Sequence, residues 1–204
     1  MARPLVLACG ALVSELRAVL RANGLTDQVE VRYLPAHLHN RPQNIVPALR
    51  TLLAELDPHN ERPVMIGYAD CGTGGGLDRL LAEMPRIKRL PGNHCYEFFA
   101  GSAAFQEMQD AELGTFYLTD FLAKHFDALM WQGLGLDRHP ELLAMYFANY
   151  TRLVLLSQTD DSGIVAAAHA AADKLGLRFE HRHVGLAQFT DGVIVALGPT
   201  REVA

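Results

Sequence analysis

The chain has three cysteines, and each stands in a string where glycine lets the backbone come close to a ligand. Cys9 precedes Gly10. Cys71 opens Cys71-Gly72-Thr73-Gly74-Gly75-Gly76. Cys95 lies in Pro91-Gly92-Asn93-His94-Cys95-Tyr96-Glu97. A single cysteine is ordinarily a small buried hydrophobe. Three in such strings are candidate ligands. Thiolates from separate loops, with no C-x-x-C spacing, suit two centres. One is a [4Fe–4S] cluster held by three cysteines, with one iron open to substrate. The other is zinc, with His94, His37 or His39 as fourth ligand. The expected metal ligands are Cys9, Cys71, Cys95 and His94.

Other side chains nearby would handle a substrate. In His37-Leu38-His39-Asn40-Arg41-Pro42, Arg41 can clamp a carboxylate through two parallel bonds. Arg41 and Asn40 are therefore expected to bind a small anion. His39, Asp70 and Glu97 are the candidate acid–base groups, or partners that orient the ligands. Gly72, Thr73 and Gly74 open a helix, where backbone N–H groups bind anions and lower the pKa of a thiol. The loop lacks the lysine of a mononucleotide-binding loop and the G-x-G-x-x-G spacing. It is expected to cradle a carboxylate or phosphate, with a plain strand-to-helix turn as the alternative.

Three further features stand apart. His181 and His183 alternate along one strand and share a face, so they either chelate a metal or mark a half-exposed strand. Asp160-Asp161 reads as a helix cap, with a ligand or base role second. Phe98, Phe99, Phe105, Phe116, Tyr117, Phe121 and Phe126 form an aromatic run that is either core or a partner surface.

The elements that must position these residues alternate in type. Residues 4–8, 29–34, 63–68, 153–157 and 177–184 read as buried strands. Residues 11–23, 44–56, 77–84, 115–126, 140–150 and 164–175 read as helices, the last ended by Gly176. Residues 90–100 have no clean period. The tail from Asp191 is apolar and reads as a short strand or helix. Such alternation predicts the α/β class: one mostly parallel, Rossmann-like sheet with helices on both faces, in a single domain over residues 1–204. Ligands of such sheets bind at the carboxyl ends of the strands. Cys9 and Cys71 follow strands directly, so all three cysteines should meet at one rim, with His39 and Arg41 beside them.

Composition removes several functions. The 204 residues are half apolar and one-fifth charged, which excludes a disordered chain. The net charge of −5 and the lack of a basic stripe argue against nucleic acid. No apolar run reaches the roughly 18–20 residues of a membrane helix. The apolar start lacks the pattern of a secretory leader, so a cytoplasmic protein with reduced thiols is expected.

Long strings carry a resemblance: Leu7-Ala8-Cys9-Gly10-Ala11-Leu12, Leu38-His39-Asn40-Arg41-Pro42, Tyr68-Ala69-Asp70-Cys71-Gly72-Thr73-Gly74-Gly75, Leu90-Pro91-Gly92-Asn93-His94-Cys95-Tyr96-Glu97-Phe98 and Trp131-Gln132-Gly133-Leu134-Gly135. With them, nearly the whole chain resembles the family catalogued as domain of unknown function 1638. The resemblance makes Cys9, His39, Arg41, Asp70, Cys71, His94, Cys95 and Glu97 the family's signature. It implies a link to corrinoid-dependent methyl transfer. The cysteine layout is also similar in arrangement to enzymes, such as quinolinate synthase, that hold a [4Fe–4S] cluster from three loops. A rival likeness is to the aspartate/glutamate racemases, with Cys71 and Cys95 flanking a small carboxylic acid and Cys9 unused.

Three functions are thus expected, in order. The first is a metal-dependent enzyme of lyase or transferase type acting on a small anion. The second is a cofactor-free two-cysteine enzyme. The third is a non-catalytic metal carrier or accessory protein. A homo-oligomer or a corrinoid-pathway partner is left open.

Overall fold

The computed structural model describes residues 3–198. The chain divides into two compact units. One holds the residues up to Phe98 and those from Leu186 onward; the other is Phe99–Gly185.

The first unit begins with β1 (Leu5–Cys9), α1 (Val13–Ala22), β2 (Glu30–Leu34), α2 (Ile45–Leu56), β3 (Val64–Gly67), α3 (Gly76–Glu83), β4 (Ile87–Arg89) and the start of α4 (Cys95–Ala100). The strands form a parallel sheet in the order β2-β1-β3-β4. Leu5, Val6, Leu7 and Ala8 are wholly buried, which is what a central strand covered on both faces requires. Leu5, Leu7, Leu34, Ile45, Leu49, Ile66, Leu77 and Leu80 make one core between this sheet and its helices. Each such side chain contributes about 1.5–3 kcal/mol by leaving water.

The second unit runs through α5 (Ser102–Ala111), β5 (Thr115–Thr119), α6 (Asp120–Lys124), a π-helical turn over Asp127–Trp131, α7 (Leu142–Phe147), β6 (Arg152–Ser157), α8 (Ser162–Leu175) and β7 (Arg178–His183). Its strands make a second parallel sheet, β5-β6-β7. The chain then returns to the first unit as α9 (Ala187–Leu197).

The α/β class and the parallel pairing are as the sequence predicts; the strands fall into two sheets where one was expected. Residues 115–126, expected to be one helix, divide. Thr115-Phe116-Tyr117-Leu118-Thr119 is β-branched and aromatic, pairs with β6, and forms a strand. The Thr119 side chain then accepts from Leu122 N and starts a short helix. The strand β4 and the helices α4 and α5 have no counterpart among the expected elements. Of the aromatic run, Phe98, Phe99, Phe105, Tyr117 and Phe126 are buried, and Phe116 and Phe121 half-buried. They are core, the first of the two readings the sequence left open. Among the described residues, no helix is long and apolar enough to cross a membrane.

Candidate functional site

The four strands of the first sheet end on the residues singled out for chemistry. Two close approaches set the rim. A Cβ on Gly10 would stand 2.8 Å from Leu34 O, so the ends of β1 and β2 meet only because that side chain is missing. A Cβ on Gly72 would stand 3.3 Å from Pro42 Cγ, which puts the loop after β3 against the loop after β2. The loops after β3 and β4 are tied by backbone bonds: Asp70 N donates to Gly92 O (3.1 Å) and Cys71 N to Asn93 O (2.8 Å).

Cys9 ends β1, and its sulfur accepts from Ala11 N at 3.5 Å. Cys71 holds a left-handed φ of +49°, a conformation a non-glycine residue adopts at a cost of about 1–2 kcal/mol. Cys95 is the first residue of α4. All three are free thiols, half-buried.

The thiols sit within electrostatic reach of one another. Burial pushes the Cys71 thiol up to about 12, and the Cys9 charge adds to the rise. Cys95 is raised well above the ordinary range, first by burial and then by Cys71 and Cys9. Cys9 is also raised by burial, against hydrogen bonds from Ala11 and Tyr68. The sequence placed Cys71 at a helix start that would lower its pKa; the structure reverses that. The thiol lies ahead of α3, which begins at Gly76, and its burial outweighs any nearby N–H dipole.

A residue that sequence reasoning overlooked completes the rim. Tyr68 is 2% exposed, and its hydroxyl faces the Cys9 sulfur. Its ionisation is raised by burial and by the Cys9 and Cys71 charges, so it stands toward those sulfurs. It closes the run expected as the third strand. A hydroxyl at the end of an otherwise apolar run is the signal that pointed to it.

Two imidazoles also lie within electrostatic reach of each other. His39 is surface-accessible yet closely flanked by protein, and its pKa is lowered by desolvation and by the neighbouring His94. Arg41 is exposed, and among the described residues no carboxylate pairs with it. Asn40 is exposed beside it.

Asp70 and Glu97, expected as acid–base groups, serve the loops. The Asp70 carboxylate accepts from Thr73 Oγ1 (2.6 Å), Gly75 N (2.9 Å) and Gly74 N (3.1 Å). Burial opposes its charge, but these bonds and the Arg89 charge hold its carboxyl below the usual range. The anion cradled by Thr73 and Gly74 is therefore this side chain, while Gly72 supplies only a turn at φ +82°. Glu97 Oε2 accepts from Asn93 N at 2.7 Å and closes the loop that carries Cys95. Among the described residues, no group of three or more His, Cys, Asp or Glu side chains is arranged to hold a metal ion. The expected set of Cys9, Cys71, Cys95 and His94 is near at hand but not drawn into a ligand shell.

The family model described as "Protein of unknown function (DUF1638)" matches residues 33–193. No curated protein and no solved structure matches this chain. The matched span takes in His39, Arg41, Asp70, Cys71, His94, Cys95 and Glu97 and begins after Cys9. It covers most of the 204 residues, and the chain belongs to the DUF1638 family of proteins of unknown function.

Proposed function

We propose that the carboxyl edge of the first sheet is the site of a metal-dependent enzyme that acts on a small anion. The observation that carries this reading is the state of the three thiols. Buried and mutually repelling as thiolates, Cys9, Cys71 and Cys95 stay protonated at neutral pH unless a cation joins them. A soft metal supplies that charge and displaces the protons. Sulfur donors from three loops fit a [4Fe–4S] cluster first and zinc second, with His94 as the further donor for zinc. The group when bound would offer a Lewis-acidic position to substrate.

The rest of the rim fits the same reading. The Tyr68 hydroxyl, which faces Cys9, would donate to its thiolate. Arg41, with no carboxylate partner among the described residues, would hold the substrate anion with Asn40, and His39 would donate or accept a proton beside it. Asp70 and Glu97 hold the two cysteine loops in place. The cofactor-free alternative needs a thiolate at Cys71 or Cys95, and both are shifted the other way.

Anaerobic purification followed by iron, sulfide and zinc assay tests the reading. Bound metal that is lost alike in Cys9→Ser, Cys71→Ser and Cys95→Ser is the expected result. A chain that stays metal-free after anaerobic reconstitution with iron and sulfide, and with zinc, overturns it.

A further inference from the structure

The string Trp131-Gln132-Gly133-Leu134-Gly135, which carries part of the family resemblance, has no part in the three-cysteine reading. It starts on the last residue of the π-helical turn Asp127–Trp131, which Gln132 N closes on Asp127 O at 2.8 Å. Such turns are rare and recur at functional sites. Here both ends of the turn meet one lysine. Lys174 Nζ lies 2.6 Å from Asp127 Oδ1 and 4.1 Å from the centroid of the Trp131 ring. Asp127 takes one of the three ammonium hydrogens, and the ring attracts the charge. The long side chain is thereby held in place before any ligand arrives, which lowers the cost of binding.

Lys174 stands in the wall of a cleft of about 380 Å³ in the second unit. One wall is α8, which presents Ala167, Ala170, Ala171 and Lys174. Their spacing of i, i+3, i+4 and i+7 puts all four on one face of the helix. The opposite wall is the corner between α6 and the π-helical turn, residues 123–128. The bond from Lys174 to Asp127 spans the two walls, so the ammonium and the alanine face belong to one cleft. The lining holds two ammoniums, of Lys124 and Lys174, against the one carboxylate of Asp127. Its net charge is positive, and His125 can only add to it.

We propose that this cleft is a ligand site for a small carboxylate with an apolar body. The carboxylate meets the Lys174 ammonium, which keeps its bond to Asp127, and the body lies along Ala167, Ala170 and Ala171. A second carboxylate is disfavoured by the Asp127 charge and by the alanine floor. The inference is independent of the three-cysteine reading.

Trp131 is the only tryptophan of the chain, so its fluorescence, excited where tyrosine does not absorb, reads this cleft. Hexanoate is the probe, titrated into the full chain at neutral pH. It should shift the Trp131 emission saturably, because a carboxylate on Lys174 changes the charge beside the ring. Acetate, which lacks the body, and hexan-1-ol, which lacks the charge, should each bind at least about threefold more weakly, and adipate more weakly than hexanoate. Calorimetry reads the variants. Lys174→Met should weaken hexanoate binding about three- to tenfold. Should that variant lose the fold, Ala170→Leu carries the test: it fills the floor from an exposed helix position, and should weaken hexanoate while leaving the emission of the free protein unchanged. The hexanoate response should persist in Arg41→Ala. The proposal is overturned by Trp131 emission that hexanoate leaves unmoved, by equal binding of hexanoate and hexan-1-ol, by affinity that survives Lys174→Met or Ala170→Leu, or by loss of the response in Arg41→Ala, which would put the anion on the edge of the first sheet.

Discussion

The carboxyl edges of the two sheets are built from opposite chemistry on sheets that are both parallel. Both sheets are parallel, and both gather polar residues where their strands end. The first edge collects three thiols and a tyrosine hydroxyl that faces one of them. The second collects a serine whose hydroxyl lies between two imidazoles, with the Asp160 carboxylate 3.3 Å from one of them. Neutral thiols donate and accept weakly, so burying three together leaves a place that a cation can stabilise. Hydroxyls and imidazoles satisfy each other, so the second edge is complete by itself.

The widest separation of the two edges should come from metal content. Cys71→Ser should abolish metal loading, whereas His183→Ala should leave it unchanged; paired elemental analysis measures both. Loss of metal in both variants would mean that the edges are not chemically separate.

Stability should separate them next. Arg152 is 6% exposed and bonds Glu180 Oε2 (2.8 Å), the Thr115 hydroxyl (2.9 Å) and Glu112 (3.3 Å) in the second unit. Arg152→Ala should cost about 3–5 kcal/mol, because the acidic partners stay behind without their cation. In the first unit, Asp70→Ala should cost about 1–3 kcal/mol by freeing the loop that presents Cys71. Urea denaturation followed by far-UV circular dichroism measures both, and an Asp70→Ala loss as large as that of Arg152→Ala would break the ordering.

The pH dependence should follow the same arginine. Glu180 pays for partial burial, but bonds from Arg182 and Arg152 hold its carboxyl below the usual range. Glu112 is likewise lowered, by Thr151 first and, against some desolvation, by Arg152 and Arg178. A depressed carboxyl stabilises the fold above its unfolded pKa of about 4.3, and that stability is lost as pH falls through the folded value. Stability should therefore fall on acidification below about pH 5 in the wild type. The fall should be shallower in Arg152→Ala, as urea midpoints across that range would read; parallel slopes would remove Arg152 as the cause. The smallest effect belongs to Asp161, whose side chain caps α8 by accepting from Gly163 N at 2.8 Å. Asp161→Ala should cost about 1 kcal/mol, seen as a small drop in melting temperature.

How much was legible follows from the kind of signal. The buried strand of residues 4–8 was readable because a parallel strand covered on both faces is continuously apolar. The Asp161 cap and the Gly176 stop were readable because both are local. The strand Thr115–Thr119 was not, since a short apolar run fits either period and its pairing with β6 decides between them. The strand Ile87–Arg89 escaped for a related reason: it is short, carries two cations, and pairs only on one side, with β3.

The residue types by themselves determined the parallel α/β class and which side chains could do chemistry, because periodicity and donor chemistry are properties of the chain. They named Cys9, Cys71, Cys95, His39 and Arg41 on those grounds. They could not say which donors would be consumed. Asp70 faces amides of its own loop, Glu97 closes the next, and the Cys71 thiol rises where a helix start was expected to lower it. Those outcomes depend on burial and on which groups meet, and only the tertiary structure sets either. Desolvation and hydrogen bonding act over a few ångströms in space, without regard to distance along the chain.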